Sequence, residues 1–327
     1  MAYWFLGGGL ALLLFGSEAV VRGGVAMARA VNLPPLVIGL LVITAGTSAP
    51  EFAVSLQAAV SAAPDMALAN VVGSNILNLL LILGLAALIR PLPSSPKVVL
   101  RDGTAMLLAA LALALMARDG AIARLDGYVL LIAFVFYVVV HFFSDWRRSS
   151  EHSVPCARAL ARLQGEALSG TAGLFVFLFG LVGLGLGAHF AVAGATAVAR
   201  AFHVSEATVG LTILAFGASI PELFITLTAA ARGQTQLAVG HLVGSNVFNS
   251  FGAIGLTASL VPLRVGPALS GDLLVMAAAS ALLLPLLITS WRLTRPRGAL
   301  LVLSYVGYVV FLAWRQGLVT PAMLGLS

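Results

Sequence analysis

Two glutamates, Glu51 and Glu222, each stand in the middle of a long apolar stretch with no Lys or Arg close by in sequence. An ionised carboxylate at the centre of a bilayer costs about 2.5–3.5 kcal/mol even on the lenient insertion scale, so each calls for a compensating cation. Each ends a short motif of glycine, hydroxyl residue and proline, Gly46 to Glu51 (GTSAPE) and Gly217 to Glu222 (GASIPE). A proline inside a span leaves the carbonyl four residues earlier without its helical donor. Here those carbonyls are Gly46 and Gly217, with Thr44 and Ala215 just upstream. The hydroxyls of Thr47, Ser48 and Ser219 add further oxygens. The next span of each half carries a second motif, Gly73 to Asn78 (GSNILN) and Gly244 to Asn249 (GSNVFN). Ser74 and Asn78 are four apart and share a helix face, as do Ser245 and Asn249. Facing the glutamates, they complete an oxygen-only shell of the kind that selects hard cations such as calcium, and two carboxylates neutralise one divalent ion. The plainer role for the same Ser and Asn residues is interhelical hydrogen bonding. Asn75 and Asn246 lie off that face, where packing or pore lining suits them as well as ligation.

The two sets stand in a fixed register. With Gly16 set on Gly187, the halves align without a gap to Leu92 on Leu263, matching Gly23/Gly194, Ser48/Ser219, Pro50/Pro221, Glu51/Glu222, Ser74/Ser245 and Asn78/Asn249 among others. Shared Leu/Ala/Gly composition explains Leu on Leu. It does not explain Pro-Glu on Pro-Glu and GSNxxN on GSNxxN in one register.

The elements that must position these residues are membrane helices. Of 327 residues 60% are hydrophobic and only 9% charged, and the mean hydropathy is +1.05, which excludes an ordinary soluble enzyme. Crossing the hydrocarbon takes roughly 20 apolar residues. Cutting at charged or Pro-rich interruptions gives ten segments near 3–29, 35–61, 66–89, 98–117, 125–145, 168–200, 206–231, 235–261, 272–291 and 298–315. The polar stretch 144–166 separates five from five. An odd number of spans per repeat turns the second copy over, so the expected fold is an all-α polytopic membrane protein of ten transmembrane helices in two inverted five-helix repeats. The first repeat is 1–147 with its motif region at 36–84, the linker 148–167, and the second repeat 168–327 with its motif region at 207–255. Inverted repeats with Gly/Pro-interrupted helices at matching positions mark secondary transporters, with the site near the midplane.

Lys and Arg fall unevenly on the two sides of this layout. With the N-terminus outside, thirteen of them face inward and five (Arg118, Arg124, Arg200, Arg264 and Arg315) outward, which places both termini outside and the central loop in the cytoplasm. The net charge of +6 then reads as loops facing anionic lipid, with no nucleic-acid partner. The N-terminal apolar run lacks a basic leader and is expected to be retained as the first span. Trp4, Trp146, Trp291 and Trp314 lie near span ends, as interfacial aromatics do. The excess of Arg over Lys, 17 to 1, hints at a prokaryotic cytoplasmic membrane. The single cysteine, Cys156, and the lack of a Cys/His cluster remove disulfide and zinc readings, and no cofactor is expected. Of the other acids, Glu18 has Arg22 one helical turn away and the remaining nine are expected near the interfaces. His241, aligned with Asn70, is expected to cap a helix or pack near an interface, with tuning of a proton-coupled step as the alternative.

The paired GTSAPE/GSNILN and GASIPE/GSNVFN motifs resemble the two repeats of the calcium/cation antiporter superfamily, in particular its prokaryotic sodium/calcium exchanger branch. The likeness covers residues 16–92 and 187–263, and the ten-span layout extends it over the chain. The resemblance implies a secondary antiporter that exchanges Ca2+ for monovalent cations, Na+ first, by alternating access. It puts the ligands at Thr47, Glu51, Ser74, Asn78, Glu222, Ser245 and Asn249, with carbonyls at Thr44 and Ala215. It also implies that segments 3–29 and 168–200, rich in Gly and Ala, slide against the rest. The partners implied are inorganic cations and the lipid bilayer, with a monomer as the working unit. Two positions depart from the family pattern. Ala218 stands where a threonine is usual, and Asn249 where some members carry an acid, which leaves the coupling ion open between Na+ and H+. An intramembrane enzyme fits poorly, because no His lies in the spans holding Ser48 or Ser219. A cation channel would show flux far above carrier rates and no counter-ion dependence.

Overall fold

The computed structural model describes residues 2–30, 44–61, 63–146, 168–233 and 235–317. The expected linker at 148–167 and the start of the second span lie outside them. The first half opens with α1 (Ala2–Ala30), followed by a broken pair, α2 (Thr44–Thr47) and α3 (Ala49–Val60). Next, α4 (Pro64–Ile76) passes through a π-helical stretch, Leu77–Ile82, into α5 (Leu83–Ile89). Then come β1 (Leu92–Pro93), a π-helical stretch Val98–Gly103 leading into α6 (Thr104–Met116), β2 (Ala121–Ile122) and α7 (Arg124–Trp146). The second half repeats that order. It runs α8 (Gly170–Ala201), α9 (Glu206–Val209), a π-helical Gly210–Leu214, α10 (Ala215–Ala218) and α11 (Ile220–Ala231). It continues with α12 (Thr235–Val247), a π-helical Phe248–Ala253, α13 (Ile254–Leu260), β3 (Leu263–Arg264), α14 (Pro267–Ile288), β4 (Arg292–Leu293) and α15 (Arg295–Arg315).

The register read from the sequence recurs in the backbone. α2 and α10, α3 and α11, α4 and α12, and each strand with its counterpart begin at aligned residues. The short strands exchange between halves. β1 pairs antiparallel with β4, Leu92 opposite Leu293, and β2 pairs antiparallel with β3, Ile122 opposite Leu263. Across the same end, the Arg295 guanidinium donates to the carbonyls of Leu88 and Ile89, which closes the C-terminus of α5.

Among the described residues seven helices are long and apolar enough to cross a membrane, or eight if the bent pair Glu206–Ala218 and Ile220–Ala231 counts as one span. Ten were expected. The second expected span is only partly described, and α12 with its continuation carries Gln236, His241, Ser245, Asn246 and Asn249, which dilute its apolar character.

Lipid offers helices no hydrophobic drive to associate, so close backbone packing through small residues must supply it. The antiparallel pair α1 and α8 is built that way. A Cβ placed on Gly16 would lie 2.8 Å from the Leu184 nitrogen, and one on the aligned Gly187 2.8 Å from the Leu13 nitrogen. Gly9 and Gly180, and Gly23 and Gly194, meet opposing backbone in the same reciprocal manner.

Candidate cation-binding site

Each half breaks its second span at a serine, Ser48 between α2 and α3 and Ser219 between α10 and α11. The second break bends by 50°. Pro50 and Pro221 fall at the start of the new helices, where a missing N–H costs nothing. Glu51 and Glu222 therefore sit in the first turn of α3 and α11, at the positive end of each helix dipole, which favours an anion.

The two breaks face each other and exchange hydrogen bonds. Ser219 Oγ donates to Glu51 Oε1 at 2.7 Å, and Ser48 Oγ donates to Glu222 Oε1 at 3.3 Å. Ser245 Oγ stands 2.8 Å from Ser48 Oγ and donates to the same Glu222 oxygen at 3.4 Å. Ser74 Oγ reaches the Ala215 carbonyl at 3.5 Å. Both glutamates, Ser48, Ser74, Asn78, Ala215, Ser219, Ser245 and Asn249 have no solvent exposure, and Thr44 and Thr47 almost none.

Hydrogen bonding leaves several buried side-chain atoms unpartnered across the described residues, and four of them lie on the predicted ligands. Glu51 Oε2, Glu222 Oε2, Asn78 Oδ1 and Asn249 Oδ1 are buried with no hydrogen-bond partner, and such groups ordinarily cost about 1–3 kcal/mol each. All four are acceptors drawn from the predicted set. Among the described residues neither glutamate forms an ion pair, and no three His, Cys, Asp or Glu side chains converge as for a transition metal. Two carboxylates with neutral amide and hydroxyl oxygens suit a hard cation.

The other acids contrast with this pair. Glu18 accepts from Arg22 Nε at 2.6 Å, as expected. Asp102 and Asp272, expected near the interfaces, are buried within the protein. Their charges are met inside the bundle, Asp102 by Arg101 at 2.6 Å and His141 at 2.7 Å, Asp272 by Arg315 at 2.9 Å and the Tyr308 hydroxyl at 3.1 Å.

The carbonyls behave less simply than the proline argument suggests. The Thr44 carbonyl accepts from Ser48 N at 3.0 Å and the Thr47 hydroxyl at 3.1 Å. The Gly46 carbonyl is taken by Ser17 Oγ of α1 at 2.8 Å. Ser17 aligns with Ala188, so the second half has no equivalent hydroxyl, and spacing within the motif carried no signal of this contact. A cavity of about 230 Å3, walled by Phe134, Tyr137, His141, Gly244 and Phe248, reaches Thr44. Asn70 donates to the Glu51 carbonyl and to Ser55 Oγ, each at 3.1 Å. His241, at the aligned place, is not a helix cap: it is buried within α12 with Nε2 unpartnered. Ala218 is buried beside Ser219 without a hydroxyl. Among the described residues the Ser48 and Ser219 hydroxyls bond carboxylates and serine, not an imidazole base.

A buried pair of carboxylates among neutral oxygens, at the crossing of two broken membrane helices, defines a secondary transporter of cations. The sequence profile of the sodium/calcium exchanger protein family matches residues 1–143 and 172–314, and the chain belongs to that family. It is 35% identical over 311 residues to the inner membrane protein YrbG of Escherichia coli, covering 93% of this chain and 94% of that protein. It is 30% identical to the sodium/calcium exchanger MaX1 of Methanosarcina acetivorans, covering 93% and 96%. The solved structure of the sodium-calcium exchanger NCX_Mj soaked with Na+ and Sr2+ is similar at a TM-score of 0.66 and 30% identity, over 95% of this chain and 99% of that one. The chain is thus a multi-pass membrane transporter and not an enzyme.

Proposed function

We propose that this protein exchanges Ca2+ for monovalent cations, Na+ foremost, across the cytoplasmic membrane by alternating access. The observation that carries the reading is the set of four buried, unpartnered oxygens on Glu51, Glu222, Asn78 and Asn249. Thr47, Ser48, Ser74, Ser219 and Ser245 add hydroxyls to the ligand set, and Thr44 and Ala215 add carbonyls. Calcium, or monovalent ions in its place, satisfies the two carboxylates. With neither bound, a doubly charged site would have to move through low dielectric, so the empty carrier does not reorient and uniport is suppressed.

The ten-span reading, with repeats 1–147 and 168–327 inverted about the site and joined by the linker 148–167, is supported by the antiparallel run of α1 and its counterpart α8 and by the exchanged strands. The charge bias supports both termini outside and the linker inside. One polypeptide holds every proposed ligand, which supports a monomer as the working unit.

A second reading, proton coupling on the same fold, draws on Ala218 and Asn249, since fewer oxygens and less negative charge weaken the case for sodium. A counter-ion screen of calcium uptake in proteoliposomes separates the two. Uptake driven by an outward sodium gradient at equal pH supports sodium, uptake driven only by a proton gradient supports the second reading, and uptake indifferent to either refutes antiport.

A further inference from the structure

We propose that Asn75 and Asn246 act as positioning residues that fix the polarity of two site amides, so that Asn78 and Asn249 turn oxygen and not nitrogen toward the cation. The inference rests on the site reading above. Four amides meet where the halves join. Asn78 Nδ2 donates to Asn246 Oδ1 at 2.9 Å, and Asn249 Nδ2 donates to Asn75 Oδ1 at 3.3 Å. Both bonds run from one half to the other. With their nitrogens so engaged, Asn78 Oδ1 and Asn249 Oδ1 are left as buried atoms without partners.

The two ends of an amide are alike in shape, so nothing within Asn78 decides which end faces a cation. Asn246 decides it. Its Nδ2 donates to the backbone carbonyl of Asn75 at 3.2 Å, and a carbonyl only accepts, so Asn246 must present its oxygen to Asn78. A reversed Asn78 would set Oδ1 against Oδ1 with no proton between them. Asn75 is held by a softer set, donating to Ser250 Oγ at 2.8 Å and to Met276 Sδ at 3.5 Å. Met106 Sδ lies 3.9 Å from Asn246 Nδ2 in the corresponding place. Thioethers accept and cannot donate, so both methionines favour the same amide orientation. Asn75 and Asn246 are 2% and 1% exposed, which removes bulk water as a competing partner.

The test is the calcium dependence of uptake in proteoliposomes, fitted for half-saturating concentration and maximal rate. Asn246→Ala should raise the half-saturating concentration about tenfold, the usual scale for a group that orients a metal ligand, with the maximal rate little changed. In an Asn78→Ala background, where no amide remains to orient, Asn246→Ala should add less than about twofold. An unchanged half-saturating concentration, or the same factor in both backgrounds, overturns the proposal. If Asn246→Ala does not fold, Asn75→Ala against Asn249→Ala carries the comparison with the same expected outcomes. Asn78→Ala without effect would instead count against the site reading itself.

Discussion

Adding one methyl group at the α1–α8 contact should be costly on one helix face and harmless on the other. A Cβ on Gly16 would sit 2.8 Å from the Leu184 nitrogen and 3.0 Å from the Gly180 oxygen, and one on Gly187 2.8 Å from the Leu13 nitrogen and 3.0 Å from the Gly9 oxygen. Ordinary contact begins at 3.4 Å, and backbone atoms have no rotamer by which to retreat, so the helices must part by roughly 0.6 Å. Overpacking on this scale costs about 1–3 kcal/mol, or some 2–4 °C of melting temperature per kcal/mol in a chain of a few hundred residues. Gly16→Ala and Gly187→Ala should each lower the thermal midpoint of the detergent-purified protein by several degrees. The double variant should fall short of the sum, because one separation accommodates both methyls. Gly8, on the same helix, has nothing within 4 Å of its added Cβ, and Gly8→Ala replaces glycine with a better helix former. Its midpoint should hold or rise. Gly16→Ala as stable as the parent, or Gly8→Ala as damaging as Gly16→Ala, would refute the packing argument.

Other contacts give equally direct expectations. Ser17→Ala strips the buried Gly46 carbonyl of its hydroxyl donor and should cost about 1–3 kcal/mol of stability, read from the thermal midpoint, while loss of the hydroxyl without effect would mean that the contact is dispensable. Asp272→Ala leaves Arg315 without its carboxylate; because that guanidinium is one-fifth exposed, the loss should lie at the low end of the ~3–5 kcal/mol seen for buried pairs, with the half-saturating calcium concentration unchanged. Two site carboxylates are balanced by one Ca2+ or two monovalent ions, so an imposed membrane potential should hardly alter uptake. Asn249→Asp adds a third negative charge and should make exchange potential-dependent, and a steep potential dependence in the parent would contradict this charge count.

The break in the second span was legible because its chemistry is local: proline removes a donor, and Glu51 one residue later must lie in the first turn of the new helix. The pairing of the halves was legible because the motif residues recur in one register, and the backbone elements begin at those same aligned positions. Contacts that form only when separate helices pack together were not. Ser17 meets Gly46 across two helices, and the bonds joining Asn75 to Asn249 and Asn246 to Asn78 depend on how α4 crosses α12, which no spacing within either motif encodes. Asp272 and Arg315 stand 43 residues apart and meet only once α15 is docked in the bundle. His241 aligns with Asn70, yet its Nε2 has no partner where Asn70 bonds the Glu51 carbonyl and Ser55. The π-helical stretches at Leu77–Ile82 and Phe248–Ala253, which hold Asn78 and Asn249, have no signature in hydrophobic periodicity.

The shared dependence of the ion on both acidic side chains is tested most directly by radiolabelled calcium uptake into proteoliposomes carrying Glu51→Gln or Glu222→Gln, each isosteric and each checked for a folded, monodisperse protein. Gradient-driven uptake should drop to the level of empty liposomes in both variants. Uptake near that of the parent in either one would show that the two carboxylates do not jointly hold the transported cation.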